Sequence, residues 1–286
     1  MPRVTVLIAT YNWSSVLRYA VASVLRQTFT DYELLVVGDG CTDDSEAVVT
    51  SFGDARIRWI NLPENSGHQS APNNEGLRQA RGEVIAYLGH DDLWLPHHLE
   101  TIVAALDASG SDLAWSLGMN VGASGYVWPT IPRPRQGLFA SPLCIAHRKH
   151  VTAKIGGWRD HRSVKTGPDA DLWQRAQAAG CSFTFVPRLT AIKFPAGHRR
   201  DVYAARPSHE QAAWSARIER EPDLEATLLV SFLTGDAVPA GMPYRDLARH
   251  FLRQTLARIR MRAAGVIPWL GKRRSSIDAL RRYKGL

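Results

Sequence analysis

Three runs of apolar, largely β-branched residues most constrain how this chain folds, because each stops at a polar loop. Residues 4–9 (V-T-V-L-I-A), 33–37 (E-L-L-V-V) and 83–88 (E-V-I-A-Y-L) are short and nearly continuous rather than alternating. That is the pattern of strands buried on both faces, as in parallel sheets covered by helices. They lead into Thr10-Tyr11-Asn12, Gly38-Asp39-Gly40 and Gly89-His90-Asp91-Asp92. Behind the first loop, where Asn12 and Ser14 offer turn and cap chemistry, Val16, Leu17, Ala20, Val21, Val24 and Leu25 recur at helical spacing. Residues 56–60 read as a further strand, and 74–80 as a helix stopped by Gly82. This rhythm predicts an α/β chain with a mostly parallel sheet flanked by helices. Such sheets bind ligands at the carboxyl ends of their strands, so three polar loops at one edge define a candidate site.

Charge narrows the partners. The 286 residues carry 35 Lys and Arg against 27 Asp and Glu, a net of +8. From Tyr244 onward there are twelve bases and two acids, so the rest of the chain nets −2. The excess therefore belongs to a basic C-terminal segment, where Leu247, Phe251, Leu252, Leu256, Ile259 and Ala263 form an apolar stripe opposite five arginines. That segment reads as a solvated helix packed on its own domain, or as attachment to an anionic membrane surface. No aromatic-interleaved platform or zinc motif supports nucleic acid as a partner. Cys41, Cys144 and Cys181 are widely spaced and odd in number, which argues against a disulfide framework or a zinc ribbon. The apolar run near the N-terminus is too short for a signal peptide, and no window is long enough to span a bilayer. The expected location is cytoplasmic, with peripheral attachment to the inner face of the membrane as the lipid reading.

The loops carry chemistry of a particular kind. The string Gly38-Asp39-Gly40-Cys41-Thr42-Asp43 has an acid where a dinucleotide fingerprint needs its third glycine, and no phosphate-binding G-x-x-x-x-G-K-[ST] loop is present. Asp39 is suited to accepting hydrogen bonds from a base N–H or a ribose hydroxyl. Asp43 and Asp44 are expected to cap the next helix. Adjacent carboxylates such as Asp91-Asp92 repel one another and call for a cation, with oxygen ligands suiting Mn2+ or Mg2+. His97 and His98 are expected to face solvent and neighbours, and Trp59 and Trp115 to lie in the core.

Four motifs in order, T-V-L-I-A-T-Y-N-W, V-V-G-D-G-C-T-D-D-S, N-S-G-H-Q-S-A-P-N-N-E-G and A-Y-L-G-H-D-D-L-W, together resemble family 2 glycosyltransferases of the GT-A fold. Gly156-Gly157-Trp158 followed by P-D-A-D-L-W-Q-R is similar to the family's G-G-[FW] and E-D-x-D-L-x-x-R segments. The likeness spans roughly residues 3–200. It implies a metal-dependent inverting transferase that moves a sugar from a UDP-, GDP- or TDP-linked donor to a hydroxyl of a glycan or glycolipid. It implies a GT-A domain over residues 1–205, with the nucleotide-sugar half at 1–110 and the acceptor half at 111–205; residues 206–286, outside the likeness, read from their pattern as a helical basic extension.

By the same resemblance, Thr10, Tyr11, Asn12, Asp39 and Asp91 belong to the nucleotide site, with Tyr11 packing on the base. Asp92 is the direct metal ligand beside Asp91, and Asp169 the general base. His68 is a candidate diphosphate contact, His198 a candidate third metal ligand and Trp158 a candidate acceptor contact. Asp171 is expected to support Asp169. The chain departs from the family at Gly89 and His90, where acids or small polar residues are usual, and at Pro168, where Glu is usual. The rivals are a nucleotidyltransferase and a non-catalytic scaffold of the same fold. The former needs a Gly-rich basic loop after the first strand, which residues 10–13 lack.

Overall fold

The computed structural model describes residues 1–123, 125, 127–130, 141–234 and 283–285. The first half runs β1 (Val4–Thr10), α1 (Ser14–Leu25), β2 (Tyr32–Gly38), α2 (Ser45–Thr50), β3 (Ile57–Asn61), α3 (Ser70–Gln79) and β4 (Val84–Gly89). Then come β5 (Leu93–Trp94), α4 (His98–Ser109), β6 (Leu113–Val121), β7 (Val127–Thr130) and β8 (Ile145–Arg148). The second half closes with α5 (Lys149–Ile155), α6 (Pro168–Ala178), β9 (Phe183–Lys193), α7 (Val202–Ala205), α8 (His209–Arg220) and α9 (Leu224–Thr234).

One sheet takes the order β3-β2-β1-β4-β8-β6-β9-β5, with β7 paired to β6. Its first four strands are parallel, as the buried runs predict. The mostly parallel expectation fails beyond β4. There β8 pairs antiparallel with both β4 and β6, as do β7 with β6 and β5 with β9, and only β6 with β9 is parallel. Those strands come from the irregular, proline-punctuated stretch, where periodicity gave no direction.

Burial on both faces explains the continuous runs. Leu7, Leu35, Val37, Ile85 and Tyr87 face Trp158 and the α6 residues Leu172 and Trp173. Val6, Ile8, Leu34, Val36, Ala86 and Leu88 face Leu17, Val21 and Val24 of α1 and Leu99, Ile102 and Leu106 of α4. A third cluster joins Leu93, Met119, Leu189 and Ile192 to Trp214, Ile218, Leu224 and Leu228 of α8 and α9. Residues of α8 and α9 therefore share one core with β5, β6 and β9. The stripe expected at 247–263 lies outside the described residues.

His98 corrects another expectation, for it is fully buried. Its ring stacks on Trp94 at 4.1 Å and its Nδ1 lies 2.7 Å from the Thr190 hydroxyl. His147 is also fully buried. Its Nδ1–H donates to the Arg148 carbonyl at 2.9 Å, leaving Nε2 to accept from the Tyr87 hydroxyl at 3.0 Å. Burial pushes the His98 pKa down to about 3, aided by neighbouring His97, and burial pushes His147 down to about 4. Both folded values lie below the ordinary 6.5, so between that value and the folded pKa only the unfolded chain takes up these protons. Stability is therefore full above pH 6.5 and falls on acidification. Each histidine is expected to remove about 2 kcal/mol of unfolding free energy between pH 7 and pH 5. Urea titrations at the two pH values check this, and His98→Phe should flatten the dependence.

Candidate active site

The in-register pairing of Thr10 with Gly38 and of Ala9 with Gly89 brings the first, second and third polar loops to one sheet edge. After β1, Asn12 takes a left-handed conformation with φ of 46°, one that Asn tolerates better than other non-glycine residues. From there its Oδ1 accepts from the Thr42 and Asp43 N–H groups at 2.7 and 3.2 Å, and its Nδ2 donates to the Thr42 hydroxyl at 3.2 Å. The amide thus ties the first two loops of the edge together. Asp43 accepts from the Ser14 N–H at 3.1 Å and from the N–H and hydroxyl of Ser45 at 3.1 and 2.6 Å, bracing the starts of α1 and α2. Asp44 makes no side-chain cap.

Asp39 is buried at the end of β2, where its carboxylate accepts from the Ser66 N–H at 3.1 Å and the Ser66 hydroxyl at 3.0 Å. That loop passes so close to Gly40, at φ of 71°, that a Cβ there would lie 2.6 Å from the Asn65 nitrogen. Thr10 is buried and its hydroxyl meets His90 Nδ1 at 2.9 Å. Burial lowers the His90 pKa below its ordinary value, against the pull of Asp91 and Asp43, so the imidazole is neutral at pH 7. Trp13 packs edge-on to both His90 and Tyr203 of α7, with centroids 5.4 and 5.6 Å away. Tyr11 remains exposed at 37%. His68 bonds the Ser70 hydroxyl at 3.2 Å and stacks on His161 at 4.9 Å.

After β4 the acidic pair divides. Asp92 is 2% exposed. Its Oδ1 accepts from the Phe194 N–H at 2.9 Å and its Oδ2 from the Lys193 ammonium at 3.2 Å. Asp91 is half-buried and its backbone carbonyl accepts from Gln211 of α8 at 3.1 Å. A Cβ at Gly89 would fall 2.8 Å from Asp92 Oδ2 and 3.2 Å from Asp91 Oδ1, so a side chain there would displace the two carboxylates. Burial opposes the charge on Lys193, but Asp92, then Asp91 and Asp169, outweigh it and hold the lysine pKa above the ordinary 10.5.

Asp169 sits in the first turn of α6, behind Pro168 at the helix start. Two residues on, Asp171 accepts from Arg175 Nε at 2.7 Å, and Arg175 donates to the carbonyls of Ile155 and Gly157 at 2.7 Å. Asn74 completes the brace, accepting from the Trp158 N–H and donating to the Trp158 carbonyl at 2.8 Å. The D-x-x-x-R spacing thus locks the segment that leads to Asp169. Trp158 is 4% exposed, packed on Tyr87 and Trp173. Its ring fills the core, which corrects its expected acceptor contact.

The expected metal set is not assembled. His198 is exposed and its ring lies 5.1 Å from that of Trp128. Among the described residues no three His, Cys, Asp or Glu side chains converge on a metal position. Both oxygens of Asp92 have partners, and a divalent ion on Oδ2 would stand beside the Lys193 ammonium. Lys193, Tyr203 and Gln211 were missed in the sequence; a lone lysine ending the apolar run A-I-K-F was the available signal for the first.

An edge that gathers Asp39, Asp91, Asp92 and a helix-borne Asp169 on such a sheet defines the GT-A class of α/β fold. The S. aureus protein TarS, residues 1–349 in complex with UDP-GlcNAc, superposes with a TM-score of 0.60 at 20% identity, over 68% of this chain and 59% of that one. The mannosyltransferase PcManGT from Pyrobaculum calidifontis, in complex with GDP-Man and Mn2+, gives 0.56 at 17% identity, over 89% and 81%. The chain belongs to glycosyl transferase family 2, whose model matches residues 5–164, more than half of its length. A protein of Nostoc sp. named as an uncharacterized glycosyltransferase is 39% identical over 110 residues, 37% of this chain and 34% of that one. The chain spans about a third or less of the first curated relatives it matches.

The loop latch is directly testable. Asn12→Ala removes three hydrogen bonds and keeps a Cβ in the left-handed region, and is expected to cost about 2 kcal/mol of stability. Asn12→Gly should cost less than Asn12→Ala, because it relieves the backbone strain. Chemical denaturation of both variants checks the order.

Proposed function

We propose that this chain transfers a sugar from a nucleoside diphosphate donor to a hydroxyl of a glycan or glycolipid, inverting the anomeric centre. The observation that carries this reading is the in-register edge that brings the loops of Thr10, Asp39 and Asp91 together, with Lys193 bonded to Asp92 beside it and within the field of Asp169. Thr10, Tyr11 and Asp39 form the base and ribose end of the donor site, with exposed Tyr11 as the stacking surface. Asp91 lies at the diphosphate end, and His68 stands on the loop held by Asp39. Support for a nucleotide sugar comes from the UDP-GlcNAc complex of TarS and the GDP-Man complex of the archaeal neighbour.

In the proposed step, the Asp169 carboxylate takes the proton of the acceptor hydroxyl while that oxygen attacks the anomeric carbon. The bond from that carbon to the diphosphate oxygen breaks, and the electron pair leaves with the diphosphate. A single displacement of this kind inverts the centre. Divalent metal belongs to the fold in general, as the Mn2+ complex of the archaeal mannosyltransferase illustrates for that protein. Mn2+ or Mg2+ in this chain would supply charge neutralisation at the diphosphate, but an ion on Asp92 requires Lys193 to withdraw. No described helix is long and apolar enough to cross a membrane, and the basic segment read as a lipid-binding face lies mainly outside the described residues.

Asp169→Asn tests the assignment. Transfer is expected to fall by about two to four orders of magnitude, the span for loss of a general base, while nucleotide binding persists. Unchanged transfer would remove Asp169 from the reaction.

A further inference from the structure

We propose that Lys193 is the resident cation of the diphosphate subsite, standing where a divalent ion would otherwise act, so that this chain binds its donor without metal. The inference rests on the glycosyltransferase reading of the edge and deepens it. Lys193 ends β9, and its ammonium reaches Asp92 Oδ2 at 3.2 Å while the adjoining Phe194 N–H takes Oδ1 at 2.9 Å. Each oxygen of the carboxylate thus has a donor from consecutive residues at the end of one strand. A divalent ion on it would stand against a fixed positive charge.

Exposure separates the two partners. The Asp92 side chain is 3% accessible, whereas a third of the Lys193 side chain is open. The buried acid thus anchors the lysine, whose side chain stays partly accessible within the field of Asp91 and Asp169. Without that charge, the edge would offer only carboxylates to an anionic diphosphate and repel it. One further feature fits this arrangement: a Cβ at Gly89 would lie 2.8 Å from the Asp92 Oδ2 atom that Lys193 holds.

Binding of UDP, GDP and TDP to the full chain, measured calorimetrically in excess EDTA and again with Mn2+ or Mg2+, tests the proposal. Wild type is expected to bind one of them in EDTA with an affinity that added ion does not raise. Lys193→Met should weaken that binding by about 10- to 100-fold in EDTA, the worth of one charged hydrogen bond. Mn2+ should restore it, because Asp92 then has an oxygen to offer. Lys193→Arg should retain binding in EDTA. If Lys193→Met fails to fold, the double variant Asp92→Asn with Lys193→Met removes the buried charge, and it should bind weakly with or without Mn2+. Wild-type binding that requires a divalent ion would overturn the proposal and leave the donor site standing. Failure of every nucleotide under every condition would overturn the donor-site reading, and this inference with it.

Discussion

In-register parallel pairing of β1 with β2 and β4 is the constraint on which the rest depends. Neighbouring parallel strands in register end together, so the residues that follow them are delivered to one edge without any contact being designed for the purpose. Because both faces of these strands are buried, a slip of one residue would exchange the two core faces and move the loops with them. Packing on Leu7 and Ile8 thus sets the position of Thr10, just as Ile85 and Leu88 set that of Asp91.

Around that edge, polar side chains do mostly local work. Asn12 and Asp43 lash the first two loops together, Asp39 steadies the Ser66 loop, and Asn74 and Arg175 hold the approach to Asp169. Holding a carboxylate in place by its neighbours is a condition for catalysis, since a base that wanders loses the benefit of proximity. Several of the motif positions therefore serve as bracing.

The first ninety residues were legible because their strands are short apolar runs ended by glycine and acid, signals that act over a few positions. Trp158 and His98 misled for a common reason: an aromatic or imidazole ring beside a motif has the same local signature whether it faces solvent or core. Trp173 and Trp94, which decide the matter, arrive from other elements. The antiparallel half was illegible because strand direction beyond β4 depends on where β8 inserts, and its four residues carry no periodicity of their own. Asp92 is the extreme case. Its partner stands 101 residues away, beyond the reach of any spacing argument.

That distance bears on how such an enzyme can change over time. The family match ends at residue 164, yet Asp169, Lys193 and Gln211 all follow it and all act at the edge the match defines. The recognisable segment is consequently not a self-sufficient module: cut there, it would keep the loops of Thr10, Asp39 and Asp91 and lose Asp169 and the Lys193 counter-charge to Asp92. Conversely, exchanging the later half alone can retune the electrostatics of the reaction centre while leaving every signature motif intact. Two chains alike in the first half can thus diverge in the chemistry they require of their surroundings.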